Sequence, residues 1–128
     1  MSEIFEIRPY DDDPYLKFPG AHPFKIKLGH LVPTLRAFVY QKGNLFGDAL
    51  PLEIAGLFIT FRLYNSNGIL IASGPAIVSD TDRAQIEYFW QQFDVKETGI
   101  YYGEFVFKDI DDTTFVLPSK DRIQIIVF

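Results

Sequence analysis

The chain has 128 residues, 48% of them hydrophobic and 23% charged, which is enough apolar material for one domain with one core. A net charge of −5 argues against sequence-independent binding to nucleic acid or to an anionic membrane, since both need a concentrated excess of Lys and Arg. With no Cys there is no disulfide and no thiolate metal site, so stability must come from packing. The aromatic share, 13 Phe, 7 Tyr and 1 Trp beside 9 Gly and 8 Pro, favours short strands and tight turns over helices. The N-terminus lacks a basic start followed by a long apolar run, and no stretch approaches about 18 consecutive apolar residues, so neither an export signal nor a membrane span is expected.

Residues 1–23 differ from the rest, with Asp11-Asp12-Asp13, prolines at 9, 14, 19 and 23, and the aromatic residues Phe5, Tyr10, Tyr15 and Phe18. Prolines so spaced oppose both helix and central strand, and predict an extended arm that anchors on a neighbour, folds back on its own domain or hangs free as a tail. From Phe24 a period of two begins. Phe24, Ile26 and Leu28 alternate with lysines, and after a break at 29–33 Leu35, Ala37 and Val39 share one face. Residues 41–44 are a turn, and 46–56 an irregular connection with room for one helical turn over Leu52 to Ala55.

The longest alternation, Leu57 to Tyr64, runs into the turn Asn65-Ser66-Asn67-Gly68 and returns through Ile69 to Ala72 as a hairpin. Ser73-Gly74-Pro75 is expected to break or bulge the returning strand, which resumes over Ala76 to Ser79. Ala84, Ile86, Tyr88 and Trp90 then alternate with Gln85, Glu87 and Phe89, with Trp90 at the core edge, and 92–98 should cross between sheets. In the strand Gly99 to Lys108, Tyr101, Phe105 and Phe107 face one way and Gly103 makes room for a large side chain opposite. A short run over 114–117 stops at Pro118, and Ile123, Ile125 and Val127 point inward from the last strand. About eight short strands with a crossover before Gly99 predict an all-β fold, an immunoglobulin-like two-sheet antiparallel β-sandwich over 24–128 that carries the arm over 1–23.

Val32-Pro33-Thr34-Leu35, Ile54 to Leu63, Tyr88-Phe89-Trp90, Thr98 to Phe105 and the Ile-rich final strand, taken in order, carry a family pattern. It resembles the immunoglobulin-like N-terminal domain of baseplate upper proteins and related tail or fibre-attachment proteins of tailed bacteriophages. The resemblance covers about residues 24–128 and rests on fold determinants. It implies a bacteriophage virion structural protein without enzymatic activity, docking on tail, baseplate or neck. With the chain ending at Phe128, it further implies a stand-alone adaptor. Tyr101 is the candidate corner tyrosine, hydrogen-bonded to backbone upstream, with an ordinary core tyrosine as the other option.

The residues offer little for catalysis. His22 and His30 lie in loops, no thiol is available, and Ser73 and Ser119 lack the strand-elbow-helix context of a reactive hydroxyl. Asp11 to Asp13, Asp80 with Asp82, and Asp109, Asp111 and Asp112 could offer calcium weak oxygen ligands, but none follows the twelve-residue calcium-loop pattern, and solvated turn aspartates are the plainer expectation. No cofactor, metal or catalytic group is therefore expected.

The stronger signal is outward. The register that buries Leu57, Ile59, Phe61 and Leu63 turns Phe58 and Tyr64 to the other face, and Phe38, Tyr40, Phe89, Tyr102, Val106, Ile126 and Phe128 fall on outward registers as well. With Phe5, Tyr10, Tyr15 and Phe18 of the arm they form the expected partner-binding set. Three such rings burying about 150–250 Å² each, at about 25 cal/mol per Å², would gain on the order of 10–20 kcal/mol before association costs of about 4–15 kcal/mol. The expected partners are other virion structural proteins, with the chain present in multiple copies or as a homo-oligomer in a virion assembled in the host cytoplasm. A capsid decoration protein and a carbohydrate-binding module, with exposed rings stacking on sugars, are the alternatives.

Overall fold

The computed structural model describes residues 4–7, 14–20, 22–42 and 49–128, with backbone only at 4–7, 42 and 49. These residues form eleven strands and no helix: β1 (Ile4–Ile7), β2 (Tyr15–Pro19), β3 (Phe24–Ile26), β4 (Leu35–Lys42), β5 (Ala49–Pro51), β6 (Phe58–Tyr64), β7 (Leu70–Asp80), β8 (Gln85–Tyr88), β9 (Gly99–Lys108), β10 (Thr114–Leu117) and β11 (Ile123–Val127). The chain is thus all-β. The strands join one curled sheet in the order β1-β2-β4-β8-β7-β6-β9-β11-β3, with β5 beside β4 and β10 beside β9. All pairs are antiparallel except β3 with β11.

The curl passes through β7. Its first part, to Ala76, pairs with β6, and from Ile77 onward it pairs with β8, so one strand serves two ladders. Ser73-Gly74-Pro75 therefore does not break the strand as expected. A Cβ at Gly74 would lie 3.3 Å from the Tyr88 ring, so glycine lets that ring pack tightly against the backbone. Pro75 sits where β7 has a hydrogen-bonded neighbour on one side only, the position in a sheet that tolerates a missing N–H.

Period-two alternation accounts for the core. Ile59, Phe61 and Leu63 of β6, Leu35, Ala37 and Val39 of β4, and Ile123, Ile125 and Val127 of β11 are all buried. The two ladders meet at rings: Phe61 of β6 lies 4.5 Å from Tyr88 of β8 and 5.8 Å, edge-on, from Trp90, centroid to centroid. Gly103 makes the expected room, since a Cβ there would come within 2.6 Å of the Phe61 ring.

Four further local expectations are corrected. Eleven strands replace the expected eight. Leu52 to Ala55 forms no helical turn, only a tight turn closed by Leu57 N–H donating to the Ile54 carbonyl. Leu28 lies beyond the end of β3 and is exposed, because its N–H donates to the Phe128 carbonyl as the chain turns away. The proline-rich N-terminus contains an inner strand, β2, paired with β1 on one side and β4 on the other. Pro14 precedes β2 and Pro19 closes it, so the prolines bound a strand instead of preventing one.

Candidate functional site

Strand register brings four chain segments to one end of the domain. Tyr64 of β6 lies beside both Leu70 and Tyr102, Ile126 beside Ile100, Val127 beside Ile26, and Leu35 beside Tyr88. The connections 27–34, 65–69 and 89–98 and the terminus Phe128 therefore share that end. Of the 14 exposed large hydrophobic residues among those described, ten fall there. Leu28, Leu31 and Val32 come from the first connection, Ile69, Leu70 and Ile71 from the β6–β7 hairpin, Phe89, Phe93 and Ile100 from the stretch into β9, and Phe128 closes the set. Scattered exposed apolar residues are ordinary on a protein surface; their concentration at one end is not.

The end is held by buried polar anchors. Trp90 is buried, and its Nε1–H donates to the Pro33 carbonyl at 3.1 Å, tying the connection before β4 to that after β8. One carboxylate oxygen of Asp94, Oδ2, accepts from the Tyr88 hydroxyl at 2.7 Å and from Gln91 N–H at 2.8 Å. Burial, the bond to Asp94 and its charge push the Tyr88 phenol far above its usual range, so this donor stays protonated. The Tyr101 hydroxyl donates to the Glu97 carbonyl at 2.8 Å, the upstream backbone bond expected of a corner tyrosine. Burial, with the Glu97 charge, raises its pKa too.

Between these anchors Phe93 is 72% exposed at a φ of +73°, a left-handed conformation uncommon for a bulky residue. A groove of about 780 Å³ lies on one side of it, floored by Trp90, Val95 and Val127 and walled by Leu28 and Leu31, with Lys27 and Lys96 also lining it. A smaller hollow of about 390 Å³ lies on the other side, between Ile71 and Tyr101. Neither lysine has an acidic partner among the described residues, and the one carboxylate in the groove, Asp94, is committed to Tyr88 and Gln91.

The structure disperses the aromatic set expected from the sequence. Phe58, Phe89 and Phe128 are exposed, while Phe38, Tyr40, Tyr64, Tyr102 and Val106 are half-buried on two outer faces, Phe38 and Tyr40 on β4 and the others on β6 and β9. Tyr15 and Phe18 are buried, 2% and 5% exposed, so the expectation that they project toward a partner is corrected: Phe18 joins the core, and Tyr15 stacks with Tyr40. Tyr10 and the Phe5 side chain lie outside the described residues. Phe93 and Leu31 lie in connections, of which strand periodicity says nothing, and Ile71 lies in the unbroken apolar run Ile69-Leu70-Ile71, which has no alternation to mark an outward face. The one sequence cue was a large ring in the otherwise polar run Gln91-Gln92-Phe93-Asp94.

Charge pairs and cations cap part of the outer faces. Beside β4, Glu87 of β8 is buried yet ionised. Burial pushes its carboxyl up, but hydrogen bonds from the Thr34 hydroxyl and from Arg36 Nε, the latter 3.0 Å, together with the Arg36 charge, outweigh that and hold it below the usual carboxylate range. On β9, Glu104 is buried beneath Arg122, whose Nε donates to it at 2.7 Å while its guanidinium lies 3.6 Å from the Tyr64 ring centre. The Lys17 ammonium lies 4.6 Å from the Tyr40 ring centre.

Among the described residues no group of three or more His, Asp or Glu side chains converges to hold a metal ion. Two of the turn aspartates accept from backbone: Asp80 Oδ1 from Asp82 and Arg83 N–H, and Asp109 Oδ1 from Asp111 and Thr113 N–H, while Asp112 pairs with Lys108 and Asp11 to Asp13 lie outside the described residues. His22, whose pKa burial lowers, lines a second groove of about 770 Å³ with Phe24, Arg36, Glu87 and Phe89.

No protein-family model matches the chain, and a search of curated proteins returned no match. Among solved structures the chain is similar to the crystal structure of CopC from Methylosinus trichosporium OB3b, with a TM-score of 0.44 and 11% identity over 98% of this chain and 93% of that one.

Proposed function

We propose that this chain is a non-enzymatic docking domain: an immunoglobulin-like sandwich that serves as a structural part of a tailed-phage particle, attached to tail, baseplate or neck by protein contacts made at its apolar end. The observation that carries the reading is Phe93, presented to solvent in a left-handed conformation between two hollows at the end where ten exposed hydrophobic residues gather. Strain of this kind persists only where surrounding structure enforces it, and here Asp94 and Tyr88 hold the adjoining turn. The sandwich reading is supported by the β7 crossover between ladders and by the Tyr101 hydrogen bond. The carbohydrate reading is weakened, because Trp90 is buried and a guanidinium lies over Tyr64.

The test is incorporation. Phage particles purified from cells expressing the tagged chain are expected to contain it in a fixed copy number, and cryo-microscopy should place the Phe93 end in a contact. Phe93→Asp should leave a folded protein that is excluded from the particle. Absence of the chain from particles, or undiminished incorporation of the variant, overturns the reading. A head-surface location would favour the decoration role.

A further inference from the structure

The end of the domain away from the groove carries a feature that complements it. The β9–β10 hairpin turns through Asp109-Ile110-Asp111-Asp112, and Ile110 at its tip is 87% exposed, the most exposed large hydrophobic residue described. Asp109 Oδ1 accepts from Asp111 and Thr113 N–H, so the tip has one defined shape. Three carboxylates surround Ile110, and Lys108, 2.9 Å from Asp112, offsets one of them. The ten residues of β9 separate tip from groove by about 33 Å. At the far end the groove offers an apolar floor and two lysines without acidic partners, against one carboxylate, Asp94, that faces Tyr88 and Gln91, so the lining charge is net positive. One end of the molecule thus presents an apolar knob in a negative collar, and the other an apolar socket flanked by positive charge.

We propose that the Ile110 tip of one copy seats in the groove beside Phe93 of the next, with Asp109 and Asp111 toward Lys27 and Lys96, so that copies join head to tail. This rests on the reading of the apolar end as a docking site and names its occupant. The contact uses two different surfaces, so it is heterologous, and copies joined by it form a ring where the rotation closes and an open row where it does not. A knob of one isoleucine with its neighbours buries little area, so the single contact is weak and gains strength by repetition in an assembly.

Sedimentation velocity of the purified full chain tests this. The wild type is expected to show a mass that rises with concentration and falls with added salt. Ile110→Asp and the double variant Lys27→Glu/Lys96→Glu change exposed side chains only. Each should stay folded by circular dichroism and weaken association about ten- to hundredfold. Mixed together, the two variants should form dimers and nothing larger, since one keeps only its socket and the other only its knob. A wild type that stays monomeric, variants that associate as the wild type does, or a mixture that remains monomeric overturns the proposal. A chain that remains monomeric yet enters particles in a Phe93-dependent way refutes the head-to-tail contact alone; loss of that dependence refutes the docking end itself.

Discussion

Phe93 concentrates the tension between stability and role in one residue. Its ring is mostly in water, so it contributes little to the core, while its left-handed backbone costs on the order of 1–3 kcal/mol. Asn tolerates that conformation far better than Phe. Phe93→Asn is therefore expected to match the wild type in urea unfolding or to exceed it by about 1 kcal/mol, while losing incorporation into particles. A fall in stability of about 1 kcal/mol or more would mean that the ring serves the fold. Gly103 shows the opposite economy: it gives up a side chain so that Phe61 can fill the centre of the core, and the room was legible from the sequence because a glycine inside a strongly alternating strand implies a large neighbour, whereas the identity of that neighbour was not.

At the level of elements, what the sequence disclosed followed from the pleat. Wherever a strand buries one face only, alternation names the inward residues, and β4, β6, β9 and β11 hold Leu35, Phe61, Phe105 and Ile125 as that rule requires. The rule fails at β7, whose continuity through Pro75 depends on having a neighbour on one side only, and at β2, whose prolines lie at its boundaries; neither fact is local to those residues. Nor does it see Glu87, a charge on the outer register that burial by Thr34 and Arg36 turns into a clasp between the connection preceding β4, β4 itself and β8. Because that environment depresses the Glu87 pKa below the ordinary value near 4.5, its contribution to stability is fully present above that pH and is lost as pH falls through the folded-state value. Glu87→Gln should lower unfolding free energy by about 1.5–3 kcal/mol at neutral pH. The difference should shrink progressively below pH 4.5, as followed by denaturant titration across that range. A difference that stays constant with pH would remove the charge from the account.

Taken whole, the molecule has two kinds of surface, and they answer differently to solvent. On the outer faces of the strands, two aromatic residues are partly covered by the chain's own cations, Arg122 at Tyr64 and Lys17 at Tyr40, so those two rings need no partner to shield them. At the groove end, no such cover exists among the described residues for Leu31, Phe93 or Ile71, and their exposure is a standing cost unless another protein meets them. That asymmetry was not legible in the sequence, since it depends on which loops the strand register brings together. Because the chain has no native cysteine, an introduced thiol can be blocked alone. A bulky polymer maleimide on Leu31→Cys, in the groove, is expected to abolish incorporation into particles. The same adduct on Ser73→Cys, exposed on β7 and paired across from Arg62 of β6, should leave incorporation near the wild-type level. If instead the Ser73 adduct blocks assembly and the Leu31 adduct does not, docking runs through the sheet exterior, and the outward aromatic registers take the role proposed for the loops.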